Sequence, residues 1–252
     1  MFSFVLPSCL KPSSVNDLLL VGRNCDGGYY TSKIALDETT ELLSFGINDD
    51  WSFEADFAAL NKDVKISCYD GSVDRSFFLK QVLKNTIFLR PKLLSHYLRT
   101  YFTFRKFFEG QPNNYFYKKF IGPHNDESYR PFNPLCENLN KLFVKIDIEG
   151  GEYRLLEKLI ENQEKFTGLI IEFHDVDLHM EKIVKFCKAI NLRIINVNVN
   201  NYGLVNSDLN LPTVIEVSWI KNNPRTINSL DSAKEHQLKN NPNGFDYELN
   251  FN

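Results

Sequence analysis

Residues with catalytic potential gather at the ends of two apolar runs. The first, "FVKIDIEGGEYRLLEKL" (143–159), begins as a strand, yet carries Asp147, Glu149 and Glu152 in quick succession. The second, "GLIIEFH" (168–174), ends with Glu172 and His174. Strand alternation puts Leu142, Val144, Ile146 and Ile148 on one face and Lys145, Asp147 and Glu149 on the other. Ionised carboxylates deep in a sheet are costly unless paired or hydrated. The cost falls if they sit at the strand's carboxyl end and open into a cleft. Gly150 and Gly151 then allow a tight turn and close approach of a ligand. Glu152 opens the next helix, where its charge suits the helix dipole. Together Asp147, Glu149, Glu172 and His174 could form one cluster. Carboxylate plus imidazole could hold a divalent cation. The same groups could equally contain a general base, with His174 near neutrality and a carboxylate orienting it. The residue types leave both open.

A second acidic set lies earlier. "LLSFGINDDWSFE" (42–54) reads as a strand, a glycine turn and a helix start, with Asp49, Asp50 and Glu54 crowding the helix N-terminus. The G-x-G-x-x-G dinucleotide fingerprint is absent. A phosphate site would want bare backbone N–H groups there and no competing acid, so this loop favours a cationic ligand. The alternative is ordinary N-capping by Asp50. The next strand ends in "SCYDGS" (67–72), with Asp70 at its tip. An acid at that place can accept hydrogen bonds from ribose hydroxyls, or simply serve the turn before Gly71. One cofactor joins an adenosine ribose to a positive charge without a pyrophosphate: S-adenosylmethionine.

These residues need a frame. Strands are predicted at 41–46, 63–70, 141–148, 168–174, 192–200 and 212–220, with helices at 52–61, 74–83, 152–163 and 179–191 between them. Alternation of this kind indicates parallel βαβ units in an open α/β sheet, whose ligands sit beyond the strands' carboxyl ends where strand order reverses. Residues 85–140 are too long for one crossover and read as an insertion, with 115–122 an extra strand. The tail, 221–252, is rich in Asn and Pro and reads as irregular. The chain of 252 residues suits one domain. A formal charge of −3 excludes a global basic field for nucleic acid. The five cysteines are dispersed, without metal-ligand spacing, which favours a reduced, cytoplasmic setting. The apolar start "MFSFVLPSCLKP" lacks a basic region and makes a poor signal peptide.

"FVKIDIEGGE" (143–152) resembles the Lys-Ile-Asp-Ile-Glu-Gly-x-Glu core of FkbM-type methyltransferases. "GRNCDGGYY" (22–30), "LLSFGINDDWSFEADFA" (42–58), "IIEFH" and "NVNVNNYG…LPTVIEVSW" resemble a branch containing the methyltransferase-like domains. The resemblance implies a seven-stranded, mostly parallel, Rossmann-like class I methyltransferase sheet with helices on both faces. It implies S-adenosylmethionine as donor and a saccharide or glycan hydroxyl as acceptor. It places Gly46 and Asn48 in the cofactor loop, with Glu54 beside them, and makes Asp70 the ribose partner. Arg23 would reach the cofactor's carboxylate, or pair with Asp26. Two departures stand out. Ser44 occupies the place of the usual acid before the loop glycine, and Asn196 and Asn198 stand where histidines are common. Asn200 and Asn201 could hydrogen-bond a sugar.

A sugar hydroxyl is a weak nucleophile, so His174 or Asp147 would act as base, with Glu149 or Glu172 orienting it or holding a cation. Between Arg90 and Lys119 aromatic residues alternate with seven Lys/Arg against the single acid Glu109. This stretch either packs its aromatics on the core or offers a platform for a lipid-linked or acidic glycan at the inner face of a membrane. The competing functions are a nicotinamide oxidoreductase, disfavoured by the acidic loop, and a non-catalytic ligand-binding protein.

Overall fold

The computed structural model describes residues 1–222 and 237–252. Seven strands share one sheet: β1 (Glu41–Phe45), β2 (Lys65–Tyr69), β3 (Asn114–Tyr117), β4 (Leu142–Ile146), β5 (Phe166–Phe173), β6 (Leu192–Val199) and β7 (Ile215–Lys221). Their spatial order is β6-β7-β5-β4-β1-β2-β3. β7 runs antiparallel to β5 and β6, and the remaining neighbours are parallel. The chain runs outward from β1 to β3 in one direction and from β4 to β5 in the other. The order therefore reverses between β1 and β4, where a ligand crevice is expected. This is the seven-stranded Rossmann-like arrangement implied by the sequence resemblance.

Helices α1 (Lys33–Glu38), α2 (Ser52–Leu60), α3 (Arg75–Ile87), α4 (Pro91–Phe104), α5 (Leu156–Asn162) and α6 (Val176–Ala189) cover the sheet. Strand alternation divides the apolar residues between its two faces. Val144, Ile146, Ile171 and Trp219 pack with Leu159 of α5 and Phe186 of α6. On the other face Leu42, Phe143 and Ile170 pack with Phe53 and Phe57 of α2 and Phe78 of α3. The Phe57 and Phe143 rings meet edge-on at 5.1 Å. Each such fully buried ring removes about 1.5–3 kcal/mol worth of apolar surface from water.

Four expectations need correction. The stretch 85–140 holds α4 and β3, and β3 pairs with β2 from Ile66 to Tyr69, so part of it belongs to the sheet itself. The helix expected at 152–163 begins as a 3₁₀ turn, Glu152–Arg154, before α5. Asp50 does not cap α2: Trp51 holds the N-cap position, and Asp50 Oδ1 instead accepts from Ser52 N at 3.0 Å. The tail is not irregular throughout, because Tyr247–Phe251 forms a strand parallel to Phe2–Leu6. The remainder of that expectation, over 223–236, lies outside the described residues. Among the described residues no helix is long and apolar enough to cross a membrane.

Candidate functional site

Strand register brings the predicted residues into one row. Phe45 lies opposite both Tyr69 and Ile146, and Ile146 lies opposite Ile171. The next residue on each strand is Gly46, Asp70, Asp147 and Glu172 respectively, so all four share the carboxyl rim of adjacent strands. Backbone bonds hold the row: Gly46 N donates to Tyr69 O at 3.0 Å, and Asp147 N to Phe45 O at 2.9 Å. Gly46 has φ +79, and a Cβ there would stand 1.6 Å from Asp147 O, so the crossing tolerates no side chain.

Above this row opens a cleft of about 930 Å³. Asp26, Asp49, Asp50, Asp70, Glu149 and Asp175 line it together with Asp147, Glu172 and Glu54; among the described residues that line it, only Lys145 and Arg154 are cationic. Phe120 and Tyr129 supply aromatic surface, and Tyr69, stacked on Tyr117 at 4.7 Å, reaches the wall only at its edge.

Asp70 is buried, and its oxygens already serve the protein. Oδ2 accepts from Ile47 N at 3.0 Å and Asn48 N at 2.8 Å, while Oδ1 accepts from Ser72 N and Ser72 Oγ. It therefore shapes the loop after β1, in which Asn48 takes a positive φ of 45°. Glu54 of α2 is fully buried beneath that loop. Its Oε1 accepts from Ser44 Oγ at 2.5 Å, whereas Oε2 is buried without a hydrogen-bond partner. Burial raises its pKa, with Lys145 opposing. A carboxylate is thus present beside Ser44 after all, reaching in from α2.

Lys145, one strand position before the rim, is buried. Its Nζ donates to Gly46 O at 2.8 Å, lies 3.7 Å from Asp147 Oδ2 and sits 5.4 Å from the Tyr29 ring centre. Burial alone would favour the neutral amine. Glu54, Asp147 and Glu172 outweigh that and raise its pKa, so the ammonium stays charged.

The Tyr29 hydroxyl sits 3.2 Å from both Asp147 Oδ2 and Glu172 Oε2. One hydroxyl proton cannot serve two carboxylates, so a second proton on Glu172 completes the arrangement. Burial, then Asp147, Glu216 and Asp26, push the Glu172 carboxyl well above the ordinary range. Behind Glu172, Asn200 Nδ2 donates to its Oε1 at 3.0 Å and reaches Asp26 Oδ1 at 3.3 Å. Glu216 of β7 lies deeper, held by Asn198 Nδ2 at 3.0 Å and by Asn240 Nδ2. Burial pushes it up to about 8, although those two amides pull the other way. Asn198, Asn200 and Asn201 are therefore occupied: Asn201 bonds Asn241 O and Phe245 O of the C-terminal segment.

His174 Nε2 lies 3.4 Å from Glu149 Oε2 and 3.6 Å from Glu172 Oε1. Its Nδ1 is 3.4 Å from Glu152 Oε1 without hydrogen-bond geometry. Burial lowers its pKa, but Glu152, Asp147 and Glu149 together raise it, favouring imidazolium. Glu152 itself is fully buried and bridges two strand-end loops, accepting from Gly150 N at 2.9 Å and His174 N at 2.7 Å. Its role is structural as well as electrostatic. Glu149 has φ 52° and its side chain is 89% exposed. Donor atoms of Asp147, Glu149 and His174 lie within 4.8 Å of one another, a set that fits a divalent cation when the cation displaces the imidazolium proton; Glu172 is outside that trio. Arg23 pairs with Asp50 at 3.2 Å, not with Asp26, and is mostly exposed.

Sequence reasoning did not assign Tyr29, Glu216 or Asn240 to the site. Glu216 carried the same signal as Lys145, a charge inside an apolar strand. Tyr29 lay in the quoted "GRNCDGGYY" element, but only the packing of its separate hairpin, Tyr29–Ser32 paired with Leu18–Val21, against the sheet shows that it bridges two carboxylates. Nothing local marks Asn240.

No protein-family model matches the chain, and no curated protein matches it. Among solved structures, it is similar to a precorrin-6y C5,15-methyltransferase from Geobacter metallireducens (11% identity, TM-score 0.39, 74% of this chain and 86% of that one). It is also similar to an S-adenosylmethionine-dependent O-methyltransferase from Thermotoga maritima (11% identity, TM-score 0.38, 75% and 62%). A third is the fibrillarin pre-rRNA processing protein of Methanococcus jannaschii (9% identity, TM-score 0.36, 85% and 86%). Likeness this remote says nothing of the ligand or acceptor taken by this chain.

Proposed function

We propose that the chain is an S-adenosylmethionine-dependent O-methyltransferase acting on a saccharide hydroxyl. The observation that carries this reading is the carboxylate row Asp70–Asp147–Glu172 at the switch point of the sheet. A pyrophosphate cofactor would meet repulsion from Asp70, Asp147 and the loop acids Asp49 and Asp50, whereas a cationic adenosine cofactor is attracted. The cleft volume is also within the usual range for small-molecule sites, about 300–1,000 Å³.

When bound, S-adenosylmethionine supplies an electrophilic methyl group on a cationic sulfur. The loop 46–49 and Asp70 would hold its adenosine end, and the acids along the cleft wall offer a counter-charge for its ammonium. Asp70 would share its oxygens between ribose and the loop that it already orders. Asp147 is the proposed base. Lys145 and Tyr29 fix its Oδ2, and among the described residues Oδ1 takes no hydrogen bond, leaving it available to an acceptor hydroxyl. Glu172, holding a proton, is unsuited to that task. The rings of Phe120 and Tyr129 offer stacking surfaces for a pyranose.

The Asp147–Glu149–His174 trio favours a second reading of the same chemistry, in which a divalent cation lowers the hydroxyl's pKa. Thermal-shift titration with S-adenosylhomocysteine and with NAD tests the cofactor. Stabilisation by the first alone is expected, and stabilisation by NAD alone would overturn the reading. Labelled methyl transfer to a saccharide panel tests the acceptor. Asp147→Asn should then lower turnover about 10²–10⁴-fold with cofactor binding retained, the usual share of a general base. A chelator that abolishes transfer, with rescue by Mg²⁺ or Mn²⁺, would assign the trio to a cation.

A further inference from the structure

The α3–α4 hairpin presents a surface unlike the rest of the molecule. From Arg75 to Phe108 the chain carries eight Lys and Arg side chains and no Asp or Glu, in a protein of net charge −3. Arg75 and Arg105 reach Glu109. Among the described residues the other cations of the hairpin have no carboxylate within ion-pair distance. The two helices pack along each other and are joined by the short turn 88–90.

The same hairpin exposes apolar side chains that burial would ordinarily claim. Leu79, Leu83 and Ile87 recur at intervals of four and so form one stripe along α3, exposed by 52%, 62% and 67%. The stripe runs into Phe88, 61% exposed, and Leu89, 86% exposed. Leu89 also has φ +50, a conformation that favours glycine or asparagine over a branched apolar residue. The turn closes through backbone alone, Leu89 N to Thr86 O at 3.2 Å and Arg90 N to Asn85 O at 3.0 Å. Folding therefore gives no reason for leucine at this tip. Solubility gives none either.

An apolar tip ringed by cations fits one kind of partner. A second copy of the chain would set two unneutralised cationic hairpins against each other. A nucleic acid backbone would answer the charge but not Ile87, Phe88 and Leu89. A bilayer with anionic headgroups answers both, with apolar side chains entering the acyl boundary and Lys or Arg remaining among the headgroups. We propose that the α3–α4 hairpin docks this protein on an anionic lipid surface, with Ile87, Phe88 and Leu89 inserted. The aromatic residues Phe104 and Phe108 take no part, being buried against Trp51. α4 also touches the rim of the cleft, where His96 Nε2 lies 2.7 Å from Asp49 Oδ2. Docking would thus bring the cleft beside the membrane. The proposal stands on the hairpin alone and does not depend on methyl transfer.

Co-sedimentation of the full chain with phosphatidylserine/phosphatidylcholine vesicles, against phosphatidylcholine alone, tests it. At low ionic strength, binding to the anionic vesicles should exceed binding to the neutral ones at least tenfold. Phe88→Glu with Leu89→Glu should reduce it at least tenfold while the melting curve is kept, since both side chains are exposed. Lys84→Glu with Lys92→Glu should reduce it as strongly, at roughly fivefold or more per cation. Absence of anionic-vesicle binding, or binding undiminished in the Phe88/Leu89 variant, would overturn the proposal. So would concentration-dependent dimerisation, without vesicle binding, that the same variant removes: the patch would then belong to a second copy. Binding to a polyglutamate peptide in place of vesicles would assign it to an acidic protein.

Discussion

The cleft and the α3–α4 hairpin handle charge in opposite ways. At the cleft, acids are drawn together at the sheet rim, partly buried, and kept there by a buried lysine, a tyrosine hydroxyl and a set of asparagine amides. At the hairpin, cations are spread over a surface, separated, and left to solvent beside apolar side chains that also face solvent. The first arrangement can survive only because most of its polar groups have partners, since an unpaired buried charge costs several kcal/mol. The second has no such constraint, because exposed charges are screened and contribute little. One region is therefore a place where substitution should be expensive and specific. The other should tolerate substitution in folding and reveal itself only against a partner.

The sharpest contrast uses the same change in both places. Lys145→Met leaves Glu54, Asp147 and Glu172 around a buried site without its cation, and should cost about 3–5 kcal/mol of stability. Lys80→Met or Lys92→Met on the hairpin should fall within about 0.5 kcal/mol of wild type. Denaturant titration of the three proteins checks this, and equal losses would erase the distinction. Next comes the backbone of the rim. Gly46→Ala forces a Cβ towards Asp147 O at a positive φ, so a loss of about 3 kcal/mol is expected by the same measurement.

Titration offers a smaller test. Glu216 in the folded protein is pushed up to about 8, while an unfolded glutamate titrates near about 4.3. Between those values the native state holds a proton that the unfolded state releases. Stability from this group is therefore fully present below about 4.3 and falls as pH rises towards 8. Glu172 is raised in the same direction and adds to the slope. Melting temperature should decline from pH 5 to pH 8, and Glu216→Gln should flatten part of that decline. A hairpin substitution such as Lys92→Met should leave the slope unchanged.

Much of this is legible in the sequence alone. Parallel strands announce themselves by apolar runs, and an acid just past such a run must lie at the strand end or suffer burial. That logic placed Asp70, Asp147 and Glu172 on one rim without knowledge of the register. It failed where partners come from far along the chain. Asn200 and Asn201 looked like free polar groups for a sugar, yet their amides are used by Glu172 and by the segment 241–245. Asp70 carries a second duty that the sequence did not show: besides Ser72, the N–H groups of Ile47 and Asn48, more than twenty residues earlier, bond to it. The aromatic stretch 97–117 mixed two signals, since Phe104 and Phe108 turn to the core while Phe102 does not. Helical spacing does carry the distinction: Tyr97, Tyr101, Phe104 and Phe108 recur every three to four residues and turn inward, while Arg99, Thr103, Arg105 and Lys106 between them are exposed.

The smallest expected effect separates the two regions most cleanly, because it runs in opposite directions for fold and for docking. Leu89 sits at φ +50, where an L side chain costs roughly 1–2 kcal/mol relative to its relaxed conformation and glycine does not. Its side chain gains almost nothing from the fold, being 86% exposed. Leu89→Gly should therefore stabilise the protein by about 1 kcal/mol, the relief of strain being offset in part by glycine's greater freedom in the unfolded chain. The same variant should bind anionic vesicles more weakly. Glycine at the cleft crossing is required, and glycine at the hairpin tip is merely preferred; a residue kept against that preference has to be explained outside the fold. Chemical denaturation and vesicle partition on this one variant decide the matter: a stability loss would show that Leu89 has a packing role after all.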